Sequence, residues 1–118
     1  MNPSQRLLLI EDDLDLADLT MAYFKQKSIE VTHLADPTLA LQSVLADVGK
    51  FAAIVTDLCL PGMSGLDLIK RLRAEGCTIP VILITVSNDV EIAISAIEAG
   101  AYDFVVKPLH FPQLLISV

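Results

Sequence analysis

The feature of this sequence that most restricts its fold is a repeated change in the spacing of apolar residues. Short apolar runs, typical of strands buried on both faces, alternate along the chain with stretches in which apolar residues recur at helical spacing. Because a strand is followed by a helix five times, the pattern predicts an α/β domain. The runs are LLLI (7–10), VTHL (31–34), AAIV (52–55), VILI (81–84) and FVV (104–106), and the more polar second run indicates an edge strand.

The predicted helices have recognisable ends. Asp36 before Pro37 is a helix N-cap followed by a first-turn proline. Ser64 with Asp67 resembles a capping box, and Asn88 repeats that idea at the next helix. Glycines 49, 76 and 100 are expected to end helices. The apolar residues at helical spacing are Leu16, Leu19, Tyr23 and Phe24, then Leu41, Val44, Leu45 and Val48, then Leu66, Ile69 and Leu72, and finally Val90, Ile94 and Ile97.

The connections between these elements select one architecture. Right-handed crossovers between parallel strands favour a three-layer, doubly wound (βα)5 domain with a five-stranded parallel sheet of order 2-1-3-4-5. The 118 residues are enough to bury a core without disulfides or a structural metal. We therefore expect a single domain over residues 1–118.

Composition excludes several classes of function. The net charge is −7, from 8 basic and 15 acidic residues, so the domain lacks the basic surface needed for direct contact with nucleic acid. No apolar run approaches the ~18 residues of a membrane helix. Two cysteines, Cys59 and Cys77, are too few for a disulfide framework. We expect a cytoplasmic domain with no membrane contact.

Polar residues at the ends of the apolar runs indicate a site. In doubly wound sheets, ligands bind outside the carboxyl ends of the strands. Several carboxylates gathered at that edge repel one another unless a cation lies among them, so a divalent metal and a lysine are expected there. The residues at these strand ends are Glu11, Asp12 and Asp13 after strand 1, Asp57 after strand 3, Thr85 at the end of strand 4 and Lys107 after strand 5.

These residue types suit phosphoryl transfer. Mg²⁺ prefers hard oxygen ligands and needs only one or two carboxylates, whereas no cluster of histidine and cysteine offers a zinc site. An aspartate beside Mg²⁺ can attack phosphorus and form an aspartyl phosphate. We assign Asp57 as the nucleophile and Asp12 as a metal ligand. Thr85 would bond a phosphoryl oxygen through its hydroxyl, and Lys107 would supply positive charge.

Four motifs carry a family resemblance over essentially the whole chain. LLLIEDD, VTDLCLPGMSG, VILITV and GAYDFVVKP resemble the receiver domain of two-component response regulators, which has a flavodoxin-like fold. The resemblance implies that Asp57 accepts a phosphoryl group from a histidine kinase. It also implies that Mg²⁺, or Mn²⁺ in its place, is held by Asp12, Asp57 and the backbone carbonyl of Cys59, and by Glu11 through water.

The resemblance further implies a switch. Thr85 and Phe104 would move together on phosphorylation and change the surface of helix 4, strand 5 and helix 5, where the chain would form a homodimer. Phe104 lacks the hydroxyl common at its position, and Val86 is bulkier than the small residue usual there. The surface residues of this dimer would be Glu91, Ile92, Leu114 and Leu115.

The stretch NDVEIAISAIEAGAYDFVVKP resembles receivers of the NtrC-like class. These receivers precede an ATPase module and a DNA-binding domain in activators of sigma-54 transcription. We therefore expect the N-terminal part of a longer multidomain regulator. The last stretch, FPQLLISV, predicts a helix of about two turns.

Three other functions compete with the switch. An aspartyl-phosphate phosphatase of the haloacid dehalogenase type carries a second acid two residues after its nucleophile, where this chain has Cys59. A flavin-binding protein needs a phosphate loop after strand 1, where EDDLDLAD would repel phosphate. A degenerate receiver would only dock partners. The switch itself is a signalling domain rather than an enzyme, since it catalyses only its own phosphorylation and dephosphorylation.

Some residues have a simpler interpretation. Asp13 is expected only to place negative charge at the start of helix 1. His33 and His110 are expected at the surface or an edge, and the cysteine side chains are expected only to pack. The basic residues of KRLR (70–73) are expected to be solvated.

Overall fold

The computed structural model describes residues 6–47, 49–85 and 90–106. The chain alternates strands and helices, and its five parallel strands form one sheet of order β2-β1-β3-β4-β5, which confirms the predicted topology. The strands are β1 (Arg6–Ile10), β2 (Glu30–Leu34), β3 (Ala53–Asp57), β4 (Val81–Thr85) and β5 (Asp103–Val106), and the helices are α1 (Leu14–Gln26), α2 (Pro37–Ala46), α3 (Gly65–Ala74) and α4 (Val90–Ala99).

Buried apolar side chains lie on both faces of the sheet, as expected of a doubly wound domain. Successive residues of a strand point to opposite faces, so each strand contributes to two separate cores. One core joins Leu8, Ile10, Ile54, Val81 and Leu83 to Ala40 and Val44 of α2, Leu68, Ile69 and Leu72 of α3, and Ala96 of α4. The other joins Leu7, Leu9, Ala53, Val55, Ile82, Ile84 and Val105 to Ala17 and Phe24 of α1.

The strand register brings the carboxyl ends of the inner strands to one edge. Ile10 at the end of β1 pairs with Thr56, and Asp57 at the end of β3 pairs with Ile84. Thr85, the next residue of β4, pairs with Val106 at the end of β5. Residues that follow these strands therefore meet at a common edge, where a ligand site is expected.

Several helix ends follow the predicted capping chemistry. The Asp36 side chain accepts a hydrogen bond of 2.8 Å from the backbone N–H of Thr38, and Pro37 begins α2. The Ser64 hydroxyl accepts one of 3.1 Å from the N–H of Asp67. The predicted Asn88 cap and the predicted last helix, FPQLLISV, lie outside the described residues. None of the described helices combines the length and the apolar character needed to cross a membrane.

The sequence periodicity selected the wrong face of α4, and in α1 and α2 it included one exposed residue each, although Phe24 and Val44 are buried as predicted. The exposed residue of α2 is Leu45. Leu19 of α1 is 61% exposed, and Ile94 and Ile97 of α4 are 50% and 55% exposed. Ala96 of α4 is instead fully buried and belongs to the first of the two cores. Because apolar residues occupy most of the α4 surface, their spacing could not show which side faces the core.

Arg73 connects α3 to two loops at the end of the sheet opposite the carboxyl ends of the strands. Its guanidinium donates hydrogen bonds of 2.8 Å to the backbone carbonyls of Cys77, Ile79 and Gly100. These carbonyls lie in the loops that lead into β4 and β5. The expectation that this arginine is simply solvated is therefore wrong, because its charge satisfies backbone acceptors of two loops at once.

Candidate functional site

The loop between β1 and α1 supplies two acidic side chains of different exposure. Glu11 follows the last residue of β1 and is only 2% exposed, whereas Asp12 is exposed. The Glu11 carboxylate accepts a hydrogen bond of 3.1 Å from the N–H of Asp13, which fixes it against the turn. Asp13 turns the other way, and its side chain caps α1 by accepting from the N–H groups of Asp15 and Leu16. The prediction that Asp13 belongs to the start of helix 1 is confirmed.

Asp57 is the last residue of β3, and every residue of that strand is buried. The Asp57 side chain is only 7% exposed. One carboxylate oxygen, Oδ1, accepts a hydrogen bond of 3.2 Å from the N–H of Cys59 in the following loop. The Thr56 hydroxyl donates to the Asp57 carbonyl at 3.1 Å. The strand end and the loop together orient the carboxylate.

The structure brings Glu11, Asp12 and Asp57 together, and we call these three residues the acidic cluster. One carboxylate oxygen from each lies within 4.8 Å of the other two. Ionised carboxylates this close repel one another, and burial of two of them weakens the screening by water. This is unlike an ordinary acidic surface, where all the groups are solvated.

The chemistry of the acidic cluster suits a hard divalent cation. Its donors are all carboxylate oxygens, which Mg²⁺ and Mn²⁺ accept and which zinc sites seldom use alone. A cation among the three groups would also remove their mutual repulsion. The residues present therefore fit the metal that the family resemblance implies.

The two residues expected to form a switch lie on neighbouring strands. Thr85 ends β4, is buried, and follows directly on Ile84, the residue that pairs with Asp57. Phe104 pairs with Leu83 and packs, partly buried, against the core on the side of α4. Tyr102, by contrast, is largely exposed. The sheet thus connects the acidic cluster to α4 through two adjacent strands.

Other site residues of the sequence analysis are placed only in part. Cys59 is exposed in the loop after Asp57, so the expectation that its side chain packs is wrong, whereas Cys77 is buried as expected. Glu91 is exposed and Ile92 is half-buried on α4. Lys107, Val86, Leu114, Leu115 and His110 lie outside the described residues.

Sequence reasoning missed one residue beside the acidic cluster. The imidazole Nε2 of His33, on β2, lies 2.7 Å from the backbone carbonyl oxygen of Glu11. His33 is half-buried on the edge strand β2, which confirms its expected place at an edge, but its contact with the Glu11 carbonyl was not predicted. Its placement beside strand 1 in the 2-1-3-4-5 order was the available signal, because the carboxyl end of β2 lies next to that of β1.

An apolar surface adjoins the end of the sheet that carries β5. We call its four exposed residues the α4–β5 surface. Their apolar side chains are exposed to solvent on α4, on the connection that follows it and on β5. The residues are Ile94, Ile97, Tyr102 and Val106.

Comparison with known proteins identifies the family. The model of the response regulator receiver domain matches residues 7–118. The phosphoglycerate transport system transcriptional regulatory protein PgtA of Salmonella typhimurium is 34% identical over 118 residues, which cover 100% of this chain and 28% of PgtA. The C4-dicarboxylate transport transcriptional regulatory protein DctD of Rhizobium meliloti is 36% identical over 118 residues, which cover 99% of this chain and 25% of DctD.

Solved structures agree with this placement. The receiver domain of the Francisella response regulator 1452 superposes with a TM-score of 0.89 at 28% identity, over 98% of this chain and 92% of that one. The chain spans only about a quarter of the length of the two transcriptional regulators above. From the family match, the relatives and the shared fold, we conclude that this chain belongs to the receiver domain family of response regulators, the signalling domains of two-component systems.

Proposed function

We propose that this domain is a switch that is turned on when Asp57 accepts a phosphoryl group from a sensor histidine kinase. The observation that carries the proposal is the position of the Asp57 carboxylate, at the end of a buried strand and within 4.8 Å of Glu11 and Asp12 carboxylate oxygens. A nucleophile held by a rigid sheet loses little freedom when it reacts.

The chemistry assigns a separate role to each proposed residue. A carboxylate oxygen of Asp57 attacks phosphorus, the P–N bond of the phosphohistidine breaks, and the leaving nitrogen takes up a proton. The Thr85 hydroxyl donates a hydrogen bond to a transferred phosphoryl oxygen. Lys107, which lies outside the described residues, supplies an ammonium charge to the same group. Donors preorganised in this way stabilise the charge that spreads over those oxygens in the transition state.

A divalent cation completes the proposed site. Asp12, Asp57 and the backbone carbonyl of Cys59 would hold Mg²⁺, with Glu11 bonded to it through water, and Mn²⁺ could replace it. When bound, the ion neutralises negative charge on the phosphoryl oxygens and on the acidic cluster. Glu11 and Asp57 are buried against the sheet and supply fixed oxygens, while the exposed Asp12 closes the site from the solvent side.

The proposal predicts that the 118-residue chain phosphorylates itself from a small donor. We expect incubation with phosphoramidate and Mg²⁺ to add the mass of one phosphoryl group, and incubation with a chelator instead of Mg²⁺ to add none. Intact-mass spectrometry measures both. In this reaction the donor P–N bond breaks and ammonia leaves after protonation by water. No adduct in the presence of Mg²⁺ would contradict the proposal and favour a receiver that only docks partners.

We propose that phosphorylation is read out at the α4–β5 surface and the segment that follows it, including Leu114 and Leu115. Thr85 and Phe104 would shift together as the threonine hydroxyl turns toward the phosphoryl group. Phe104 packs against the core beside α4, so burial of its ring can move that helix. Since apolar area on this surface is already exposed, the rearranged face suits a second copy of the domain.

Homodimer formation should therefore depend on the α4–β5 surface. We expect phosphoramidate and Mg²⁺ to increase the molar mass measured by light scattering, and Ile94→Asn to weaken the dimer about 10-fold without lowering phosphoryl uptake. Leu39→Asn, which changes a similarly exposed residue on α2, is the matched control and should dimerise like the native chain. Unchanged molar mass together with unchanged amide exchange over residues 90–106 would contradict this proposal.

For the whole protein we propose control of transcription. PgtA and DctD are transcriptional regulatory proteins by name, and this chain corresponds to about a quarter of each. We propose that residues 1–118 are one receiver domain joined to an output part, with an ATPase module and a DNA-binding domain as in the NtrC-like sigma-54 activators. The full-length gene product would test this, because an output part without an ATPase module contradicts the sigma-54 assignment.

A further inference from the structure

The β1–α1 loop is attached to β2 at two points around Glu11. The backbone N–H of Glu11 donates a hydrogen bond of 3.2 Å to the carbonyl of Leu34. The Glu11 carbonyl oxygen lies 2.7 Å from Nε2 of His33. Because a carbonyl can only accept, the ring nitrogen is the donor and carries a proton. Ile10 and Leu34 are the last paired residues of β1 and β2. The His33 side chain therefore holds the β1–α1 loop against β2 just beyond the point where the strand pairing ends.

The carbonyl that His33 contacts belongs to the peptide bond between Glu11 and Asp12. Displacement of this peptide unit would move the Cα atoms of both residues that it joins, and their side chains with them. One of them, Glu11, is buried, and the other, Asp12, is exposed. Both belong to the acidic cluster, so displacement of the loop would change the distances between its carboxylate oxygens, which lie within 4.8 Å of one another. A hydrogen bond to this peptide opposes that displacement.

We infer that His33 is a positioning residue for the acidic cluster, which strengthens divalent cation binding through the Glu11–Asp12 peptide without touching the ion. The inference rests on the proposed metal site but not on phosphoryl transfer. Groups that orient metal ligands in this way commonly change metal affinity 10- to 100-fold when removed. His33 differs from such groups because it does not contact a ligand side chain. Its hydrogen bond instead positions the peptide between Glu11 and Asp12, and so both proposed ligand residues.

Two substitutions of His33 separate the hydrogen bond from the packing of the ring. His33→Leu fills space but cannot donate, whereas the amide nitrogen of His33→Gln can donate over a similar reach. We expect isothermal titration calorimetry with MgCl₂ to show about 10-fold weaker binding for His33→Leu and nearly native binding for His33→Gln. Hydrogen exchange at the amides of residues 11–13 should be faster only in the leucine variant.

Val31→Ala is the control for a general loss of stability. Val31 lies on the same strand, is half-buried, and pairs with Leu7 at a distance from the acidic cluster. This variant should unfold at lower urea concentration but bind Mg²⁺ like the native chain. If His33→Leu bound Mg²⁺ with native affinity, the inference would be overturned but the proposed metal site would stand. The inference would also be overturned if Val31→Ala lowered Mg²⁺ affinity as much as His33→Leu does and His33→Gln did not restore it. If the native chain itself failed to bind Mg²⁺, the proposed metal site would be overturned as well.

Discussion

Asp57→Asn is expected to abolish phosphoryl uptake from phosphoramidate. The amide that replaces the carboxylate is a much weaker nucleophile and cannot form the acyl phosphate. The fold should survive, because asparagine has the same shape and its Oδ1 can still accept the hydrogen bond from the N–H of Cys59. Intact-mass spectrometry should show no adduct in Mg²⁺, and circular dichroism should match that of the native chain.

The matched control for this experiment is Asp13→Asn. It removes the same charge two residues from Glu11, but Asp13 caps α1 instead of joining the acidic cluster. Asparagine is as good a helix cap as aspartate, so stability should change little. We expect phosphoryl uptake close to that of the native chain. An adduct that persists in Asp57→Asn would mean that another residue is the nucleophile, and peptide mapping would locate it.

Much of the fold could be predicted because its signals are local. The run VILI forms most of β4, and all but the first residue of AAIV lies in β3; both strands are buried throughout. Asp36 and Ser64 cap their helices as expected because a cap needs only a side-chain oxygen and an N–H two or three residues away. Such signals act within a few residues, and no knowledge of the remaining chain is needed to interpret them.

Helix faces were harder to predict, since they depend on what lies opposite. Ile94 and Ile97 are more apolar than Ala96, yet the alanine is buried and the isoleucines are exposed. Ala96 belongs to the core, while the two isoleucines face solvent. In a helix that is apolar almost all round, hydrophobicity alone does not identify the buried side.

In the candidate site too, some features could be predicted from the sequence and others depended on contacts between distant parts of the chain. Glu11, Asp12 and Asp57 could be placed together because the carboxyl ends of neighbouring parallel strands meet at one edge. The contacts of His33 and Arg73 were missed, because each is a hydrogen bond from a side chain to a backbone carbonyl of another loop. Strand order brings His33 near the β1–α1 loop but does not by itself show that the bond forms. Spacing in the sequence carries no signal for such contacts. Such contacts depend on the tertiary structure.

Gly65 lies where the first turn of α3 crosses the end of β3. A Cβ atom at this position would stand 2.5 Å from the carbonyl oxygen of Asp57 and 2.7 Å from Cδ2 of Leu83. It would also lie 3.2 Å from the Cα of Leu58. Two of these three neighbours are backbone atoms, so rotation of a side chain cannot relieve the overlap. The N–H of Gly65 donates a hydrogen bond of 2.8 Å to the Leu58 carbonyl, which holds the two segments at this distance.

Gly65→Ala is expected to damage both the fold and the proposed site. Overpacking of a buried contact costs about 1–3 kcal/mol, and the rigid backbone here places the expected loss of unfolding free energy near the upper value. This loss should appear although alanine is the better helix former. Since the overlap is relieved by moving the Asp57 backbone, the nucleophile shifts too, and a displacement of about 1 Å can slow a reaction about 100-fold. Urea unfolding and the rate of phosphoryl uptake from phosphoramidate measure the two effects.

Gly76→Ala separates those two effects. Gly76 follows α3 with a φ of 77°, and a Cβ there would meet nothing within 4 Å. The left-handed backbone should cost about 1 kcal/mol in alanine, with no steric overlap. Because this residue lies at the other end of α3, phosphoryl uptake should keep its native rate. Equal uptake by native chain and Gly65→Ala would mean that Asp57 tolerates displacement, and the rigid placement of its carboxylate by β3 could then not be the source of its reactivity.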